Sequence, residues 1–250
     1  MVTSPLQVLH AAERPVAGAA PLPRLLIAGA TGALGSEMVR RLAGSGRFAH
    51  TQVLAREPLR EGLRAVRTTL VPGDDPPAWP AAAADVAVVL FDPPRLFHDR
   101  ERALWTPAPS HLPALAAWLH ASGVRTVAVV LPHAPGRLPE ALKRGLASLD
   151  EHTVAAQGFD RLLILRSARK PGAEPAGSLP VRLASGLLGV LRYMVPTRDQ
   201  PVRAACVADL LAHALRLAPP GIHVATPEQV WQAAQGDAEG VARQWLQPAP

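Results

Sequence analysis

The chain has 250 residues, of which 48% are hydrophobic, and this is enough to build a substantial core in one domain of ordinary size. Its 26 basic and 20 acidic residues give a net charge of +6, but the basic residues are nearly all scattered arginines and only 4% of the chain is aromatic. Without a basic run or an aromatic platform, this composition argues against a nucleic-acid partner. No run approaches the roughly 20 apolar residues of a membrane span, so we expect no membrane partner.

A single cysteine, Cys206, excludes an intramolecular disulfide and a multi-cysteine metal site, and we predict no metal. The first 22 residues contain Glu13 and several prolines in place of a charged region followed by an apolar one, so they do not resemble a secretory signal. We therefore interpret residues 1–22 as a flexible N-terminal extension and expect a cytoplasmic protein.

Short aliphatic runs alternate with longer helical patterns along the chain, which predicts βαβ units around a parallel sheet. The unbroken apolar run at 86–91 is typical of a strand buried on both faces of such a sheet. The predicted strands are 25–28, 51–55, 68–71, 86–91, 127–131 and 162–165. The predicted helices of this part place apolar residues at helical spacing over 34–42, 112–119 and 138–149.

The pattern changes after residue 165, where prolines and glycines interrupt regular structure before two helical patterns at 181–195 and 204–217. We predict an α/β fold with a doubly wound parallel sheet and a small C-terminal helical lobe that faces the substrate. The predicted divisions are a core over 23–165, a lobe completing the same domain over 166–235, and a polar, weakly patterned tail over 236–250.

The most informative stretch follows the first predicted strand and has the sequence Gly29-Ala30-Thr31-Gly32-Ala33-Leu34-Gly35. A tight glycine turn between a strand and a helix lets backbone N–H groups approach a pyrophosphate, and the helix N-terminus adds partial positive charge. The spacing differs from the commonest G-x-G-x-x-G fingerprint, so the strand–turn–helix setting carries the argument. We predict that a dinucleotide is held by Gly29, Thr31, Gly32, Ala33, Leu34 and Gly35, with the Thr31 hydroxyl closing the turn or contacting a phosphate.

The end of the second predicted strand lies about 20 residues beyond the glycine turn, where dinucleotide-binding folds meet the adenosine ribose. Arg56 there would attract a 2′-phosphate and favour NADP(H), whereas Glu57 would favour NAD(H) by taking the free hydroxyl. A solvated arginine is the alternative. Phe91 and Asp92 lie at the carboxyl end of the fourth predicted strand, where open α/β sheets place ligands, but Phe91 also suits the core and Asp92 a turn.

These residues resemble the atypical or extended short-chain dehydrogenase/reductase-like proteins, near the NmrA-like and other NAD(P)-binding Rossmann groups. The resemblance rests on Leu-Leu-Ile-Ala-Gly-Ala-Thr-Gly-Ala-Leu-Gly at the first turn, on Arg56, and on the segments 121–125 and 158–161. It extends over about residues 24–217 and implies a Rossmann fold and a nicotinamide dinucleotide cofactor.

The catalytic residues that this resemblance implies are missing. Active members use a Tyr-x-x-x-Lys pair and a serine, but the only tyrosine here, Tyr193, is followed four residues later by Thr197. The family's tyrosine, lysine and serine positions fall near Lys143, near Ala147, and near Leu131 or Pro132. Cofactor binding is untouched by this loss, because the glycine turn performs it separately.

The sequence therefore predicts an NAD(P)-binding protein that prefers NADP(H) and acts as a binding or sensor module or as a noncanonical reductase. The alternative is an active NADPH-dependent oxidoreductase of a small or hydrophobic carbonyl, with His133 or His98 as a nonstandard acid. Either histidine also suits an exposed loop. A third hypothesis is a scaffold whose helix at 183–195 meets a partner. The small-molecule substrate and the oligomeric state stay open.

Overall fold

The computed structural model describes residues 21–59, 66–95, 98–132, 146–167 and 202–247. Within them, seven strands form one all-parallel sheet in the order β3-β2-β1-β4-β5-β6-β7. The strands are β1 (Leu25–Ala28), β2 (Thr51–Ala55), β3 (Val66–Leu70), β4 (Val86–Leu90), β5 (Thr126–Leu131), β6 (Arg161–Arg166) and β7 (Gly221–Ala225). The predicted doubly wound α/β sheet is confirmed. The order reverses between β1 and β4, and in such sheets ligands bind at the carboxyl ends of the strands at this point.

The described part of the chain contains seven α-helices, and none of them is both long and apolar enough to cross a membrane. They are α1 (Gly32–Ala43), α2 (Asp99–Arg102), α3 (Leu112–Ala121), α4 (Leu149–Ala155), α5 (Ala204–Leu217), α6 (Pro227–Ala233) and α7 (Ala238–Leu246).

Alternate residues of the central strand β1 enter two separate hydrophobic cores. Leu25 and Ile27 pack on the face covered by α1 and α5, while Leu26 and Ala28 pack on the face covered by α3. All four are fully buried, as expected for a strand of a parallel sheet with helices on both faces. This explains why the strand is an unbroken apolar run.

Three tryptophans hold the connections after β3 and β4 on the α3 side of the sheet. Trp79 packs edge-to-face against Trp105 and Trp118, with ring centroids 4.7 and 5.1 Å apart. Each indole N–H has an acceptor: the carbonyl of Gly73 for Trp79, the carboxylate of Asp74 for Trp105 and the carbonyl of Pro80 for Trp118. The cluster therefore fixes these connections by both packing and hydrogen bonds.

The C-terminal residues differ from the sequence prediction in two respects. They add an edge strand, β7, which we do not predict from the short segment Gly-Ile-His-Val-Ala at 221–225. Where a weakly patterned tail is predicted after Gly236, the chain forms α7, whose first turn is capped by the Asp237 carboxylate accepting from the Gly240 N–H at 2.8 Å. Val241 and Leu246 of this helix are buried in the core with α5.

Most of the predicted helix over 138–149 lies outside the described residues. The predicted helix over 181–195 and residues 1–20 of the N-terminal extension lie outside them entirely. Leu149, expected on the apolar face of the helix over 138–149, is instead the first residue of α4 and 81% exposed. The helix begins there because the Ser148 hydroxyl accepts from the Glu151 N–H at 3.2 Å.

Gly35 allows α1 to pack directly on the turn that precedes it. A Cβ at this position would lie 2.4 Å from the carbonyl carbon of Ala30 and 2.7 Å from the carbonyl oxygen of Gly29. We expect Gly35→Ala to lower the free energy of unfolding by about 1–3 kcal/mol, because these backbone atoms cannot yield without opening the turn. Urea unfolding followed by circular dichroism measures this.

Gly73→Ala is the matched control, since a Cβ there would meet nothing within 4 Å. Equal stability of the two variants would contradict the close contact between helix and turn.

Candidate functional site

The parallel sheet brings the residues predicted to bind a cofactor to one edge. The glycine turn follows β1, Arg56 follows β2, and Phe91 and Asp92 follow β4, and β1 lies between β2 and β4. The turn and Asp92 are in direct contact, because the Thr31 hydroxyl and the Leu34 N–H both donate to Asp92.

The glycines of the turn admit close approach by other parts of the chain. Gly29 and Gly32 have backbone φ values of 80° and 69°, which residues other than glycine rarely adopt. A Cβ at Gly29 would lie 2.0 Å from the carbonyl oxygen of Leu90, and one at Gly32 would lie 2.8 Å from the Cβ of Asp92. In this structure the loop after β4 therefore occupies the space directly above Gly32.

Two backbone N–H groups at the start of α1 bond to carboxylates of the same chain. The Gly32 N–H donates to Oε2 of Glu101 at 3.0 Å, and the Leu34 N–H donates to Oδ2 of Asp92 at 3.2 Å. Such N–H groups have no partner within a helix, and the helix N-terminus favours negative charge. In this structure, carboxylates of the chain itself therefore occupy these two N–H groups of the turn.

Glu101 is held in place as a carboxylate by Arg95. Glu101 is only 5% exposed, and its carboxylate accepts hydrogen bonds from the Arg95 Nε and from the Arg95 backbone N–H, each at 2.7 Å. Burial raises the pKa of Glu101, but the bonds from Arg95 and from the Gly32 N–H outweigh it, so the pKa lies below its ordinary value. Glu101 is therefore charged at neutral pH.

Asp92 lies in a different electrostatic setting. Burial raises its pKa above the ordinary value, and the bond from the Leu34 N–H only partly opposes this effect. The two carboxylates at the turn consequently differ in acidity, since Arg95 compensates only Glu101.

The Thr31 side chain fastens the turn to the loop after β4. Thr31 is fully buried, its hydroxyl donates to the carbonyl oxygen of Asp92, and it lies 2.9 Å from the Thr106 hydroxyl. Although Thr31 stands at the N-cap of α1, its side chain makes no cap hydrogen bond. The local turn closure considered from the sequence is therefore replaced by a tertiary contact.

Residues 99–106, here called the covering segment, cross the carboxyl ends of β1 and β2. The Gly29 N–H donates to the Trp105 carbonyl at 3.3 Å, the Trp105 N–H to the Leu54 carbonyl at 2.9 Å, and the Arg56 N–H to the Ala103 carbonyl at 2.8 Å. Ala55 and Leu104 form an isolated antiparallel bridge. The segment therefore lies over the crevice in which a dinucleotide was predicted.

The Arg56 side chain lies at the end of β2 and pairs with Asp74. Its guanidinium donates to Oδ1 of Asp74 at 2.6 Å, and the Trp105 indole N–H donates to the same oxygen at 2.8 Å. The indole bond is the largest cause that lowers the pKa of Asp74, followed by the Arg56 bond. Because the Arg56 side chain remains 47% exposed, an incoming anion can reach it.

The other predicted residues have varied positions. Phe91 is partly buried and packs against the core on the α3 face, and Ala33 is exposed at the second position of α1. His98 immediately precedes α2, whereas His133 and Lys143 lie outside the described residues. At the position where the resemblance places the lysine, the Ala147 backbone N–H donates to the buried Glu151 carboxylate at 2.7 Å.

Sequence reasoning missed Glu101, Arg95, Asp74 and Trp105. Glu101 belongs to the charged run Asp99-Arg100-Glu101-Arg102, which is typical of a solvated turn, and only its tertiary contacts reveal that it is buried. Trp105 carries the one available signal, because a large aromatic residue beside a charged run indicates an anchored segment.

The sheet order, the strand–glycine–helix turn and the switch point between β1 and β4 define a Rossmann-like α/β fold. No protein-family model and no curated protein sequence matches the chain.

Solved structures share this fold at low sequence identity. MoeE5 in complex with UDP-glucuronic acid and NAD is 18% identical, with 85% of this chain and 81% of that chain covered and a TM-score of 0.50. Glucuronic acid dehydrogenase from Chromohalobacter salexigens is 14% identical, with 92% and 91% covered and a TM-score of 0.47. The enzyme WbmG of Bordetella bronchiseptica, in complex with NAD and UDP, is 13% identical, with 91% and 81% covered and a TM-score of 0.46. The predicted resemblance is confirmed at the level of the fold.

Glu101→Gln should destabilise the protein in a pH-dependent manner. Because folding lowers the pKa of Glu101, its carboxylate stabilises the fold above the unfolded-state pKa, and this contribution is lost as the pH falls through the folded-state pKa. We expect the variant to lose about 1–3 kcal/mol at neutral pH and to approach the wild type in acid, as measured by urea unfolding across a pH series.

Asp92→Asn should show the opposite trend. Folding raises the pKa of Asp92, so its ionisation destabilises the fold progressively as the pH rises from the unfolded-state pKa to the folded-state pKa. The variant should therefore gain stability relative to the wild type over that rise. The same pH trend for both variants would contradict the assignment of different environments to the two carboxylates.

Proposed function

We propose that this chain is a dinucleotide-binding Rossmann protein that prefers NADP(H) and acts as a binding or sensor module, with the covering segment competing for its cofactor site. One observation carries the proposal: the N–H groups of Gly32 and Leu34 are bonded to carboxylates at the position where this fold holds a diphosphate.

The residues of the turn fit a diphosphate in their chemistry. Neighbouring N–H groups at a helix N-terminus suit negatively charged oxygens, and the turn already binds two of them. The space above Gly32 is filled by Asp92 and the adjoining loop, so a diphosphate requires the carboxylates and the covering segment to withdraw. When bound, the cofactor would supply a nicotinamide able to carry hydride.

The covering segment has a quantitative effect on binding. If the open form is a minor population, the apparent dissociation constant rises in inverse proportion to that population. Four backbone hydrogen bonds and the Glu101 carboxylate hold the segment closed, so its contacts set the affinity of the site. This coupling between ligand and segment is what a sensor requires.

The preference for NADP(H) is proposed from Arg56. Its guanidinium is half-exposed at the end of β2 and pairs with Asp74, and a 2′-phosphate would take the place of that carboxylate. Glu57, also exposed, would favour NAD(H) if it accepted from the free hydroxyl.

The side chains that the family's usual hydride-transfer mechanism needs are not present, and this favours a binding role. Leu131 and Ala147 stand near the positions of the serine and lysine, and neither side chain can donate or accept a proton. The chain has no Tyr-x-x-x-Lys sequence to supply the acid.

Calorimetric titration with NADPH and with NADH tests the preference. Arg56→Ala should weaken NADPH binding by about tenfold or more and leave NADH binding nearly unchanged, because only NADPH carries the 2′-phosphate. Arg67→Ala, which removes an exposed arginine from the edge strand β3, is the matched control. Equal losses for both nucleotides would refute the NADP(H) preference.

Glu101→Gln tests the competition. The variant keeps the size of the side chain but weakens its bonds to Gly32 and Arg95, so NADPH affinity should rise about tenfold. Glu239→Gln removes a charge from the exposed surface of α7 and should leave the affinity unchanged. If Glu101→Gln binds NADPH no more tightly than the wild type, the covering segment does not compete. If the wild type and Glu101→Gln bind neither nucleotide, the proposed function is refuted.

A further inference from the structure

A cavity of about 350 Å³ lies at the amino ends of β4, β5 and β6. The glycine turn lies at the other end of the strands, where their carboxyl ends meet. No motif in the sequence points to this cavity, and it is separated from the glycine turn by the length of the strands. Its polar lining is formed by charged side chains and one threonine: Arg47, Asp85, Arg125, Thr126, Asp160, Arg161 and Arg216.

Four arginines and only two aspartates line this cavity, so its positive charges outnumber its negative ones. Asp85 is committed to Arg24, from which it accepts three hydrogen bonds of 2.8 to 3.0 Å, and Arg216 pairs with Glu239 at 2.5 Å. In the described parts of the chain, no ion pair engages Arg47, Arg125 or Arg161. Among the lining residues, three arginines and one aspartate, Asp160, are therefore left outside the ion pairs of the described parts.

Arg161 lines the cavity, and one nitrogen of its guanidinium lacks a hydrogen-bond partner among the described residues. Its Nε is buried and has no hydrogen-bond partner. A buried donor without an acceptor costs free energy, and native proteins seldom leave one in place. Arg41 has a similar Nε, but it lies outside this cavity and its guanidinium pairs with Asp209.

The sheet places two of the arginines side by side. The Arg161 N–H donates to the Arg125 carbonyl at 3.2 Å, because β6 pairs with β5 at this point. Across the cavity, burial lowers the pKa of Arg47 and the charge of Arg216 lowers it further. The charges of Arg47 and Arg216 therefore repel each other across the cavity.

We propose that this cavity binds a small phosphorylated molecule. Guanidinium groups bind phosphoryl oxygens in pairs of parallel hydrogen bonds, and several of them around one concave site favour an anion with more than one negative oxygen. Phe48 and Leu215 add an apolar wall for the non-phosphoryl part of the ligand. The site is independent of the dinucleotide crevice, because the two lie at opposite edges of the sheet.

Calorimetric titration of the full chain with inorganic pyrophosphate tests the proposal. We expect one bound anion, with affinity reduced at least tenfold in Arg161→Gln and in Arg125→Gln. Arg67→Gln carries the same change in charge on β3, away from the cavity, and should bind as the wild type does. Arg161→Lys retains the charge but loses the paired hydrogen bonds, so it should bind less tightly than the wild type, and it serves if the glutamine variant is unstable.

Three results would overturn the proposal: no pyrophosphate binding by the wild type at millimolar concentration, an equal loss in Arg67→Gln, or a gain in Glu101→Gln without a loss in Arg161→Gln. The second would indicate attraction by diffuse charge, and the third would place the anion at the glycine turn. Since none of these measurements uses a nicotinamide nucleotide, the outcome is separate from that of the proposed function.

Discussion

The organisation of this molecule follows from the need to pair the backbone N–H groups that begin α1. The helix cannot satisfy them, and they stand at the buried carboxyl end of the central strand. Glu101 reaches the Gly32 N–H because its segment crosses β1 and β2, and it stays charged there because the bonds from Arg95 and from Gly32 outweigh the effect of burial. The hydrogen bond from Gly32 to Glu101 and the backbone bonds of Ala103 and Trp105 together hold the covering segment across the crevice.

Local patterns predicted the parts of the fold that local forces determine. The bounds of β1 and β2 agree with the structure, because apolar runs in a doubly covered sheet leave little choice of conformation. The glycine turn and Arg56 lie where strand order requires. What the pattern of residues could not show is the partner of each group: the burial of Glu101 and the Arg56–Asp74 pair join residues far apart in sequence.

Positive charge is balanced differently at the two ends of the strands. At the carboxyl edge, partial charges on the turn and the guanidinium of Arg95 are matched by carboxylates of the same chain. At the amino edge, Arg125 immediately precedes β5 and its carbonyl accepts from the N–H of Arg161, the first residue of β6, while the nearby Asp85 is already engaged by Arg24. The first edge is self-complementary in charge, and the second is complementary to something outside the chain.

The tryptophan cluster has an optical consequence. Trp105 belongs to the covering segment, and its ring meets that of Trp79, which in turn meets Trp118. The other two of the five tryptophans, Trp231 and Trp245, pack on the opposite face of the sheet. Lifting the segment would carry the buried indole of Trp105 away from the ring of Trp79, while the environment of the distant pair stays unchanged. The unlabelled chain therefore contains its own fluorescent reporter of whether the crevice is open or shut.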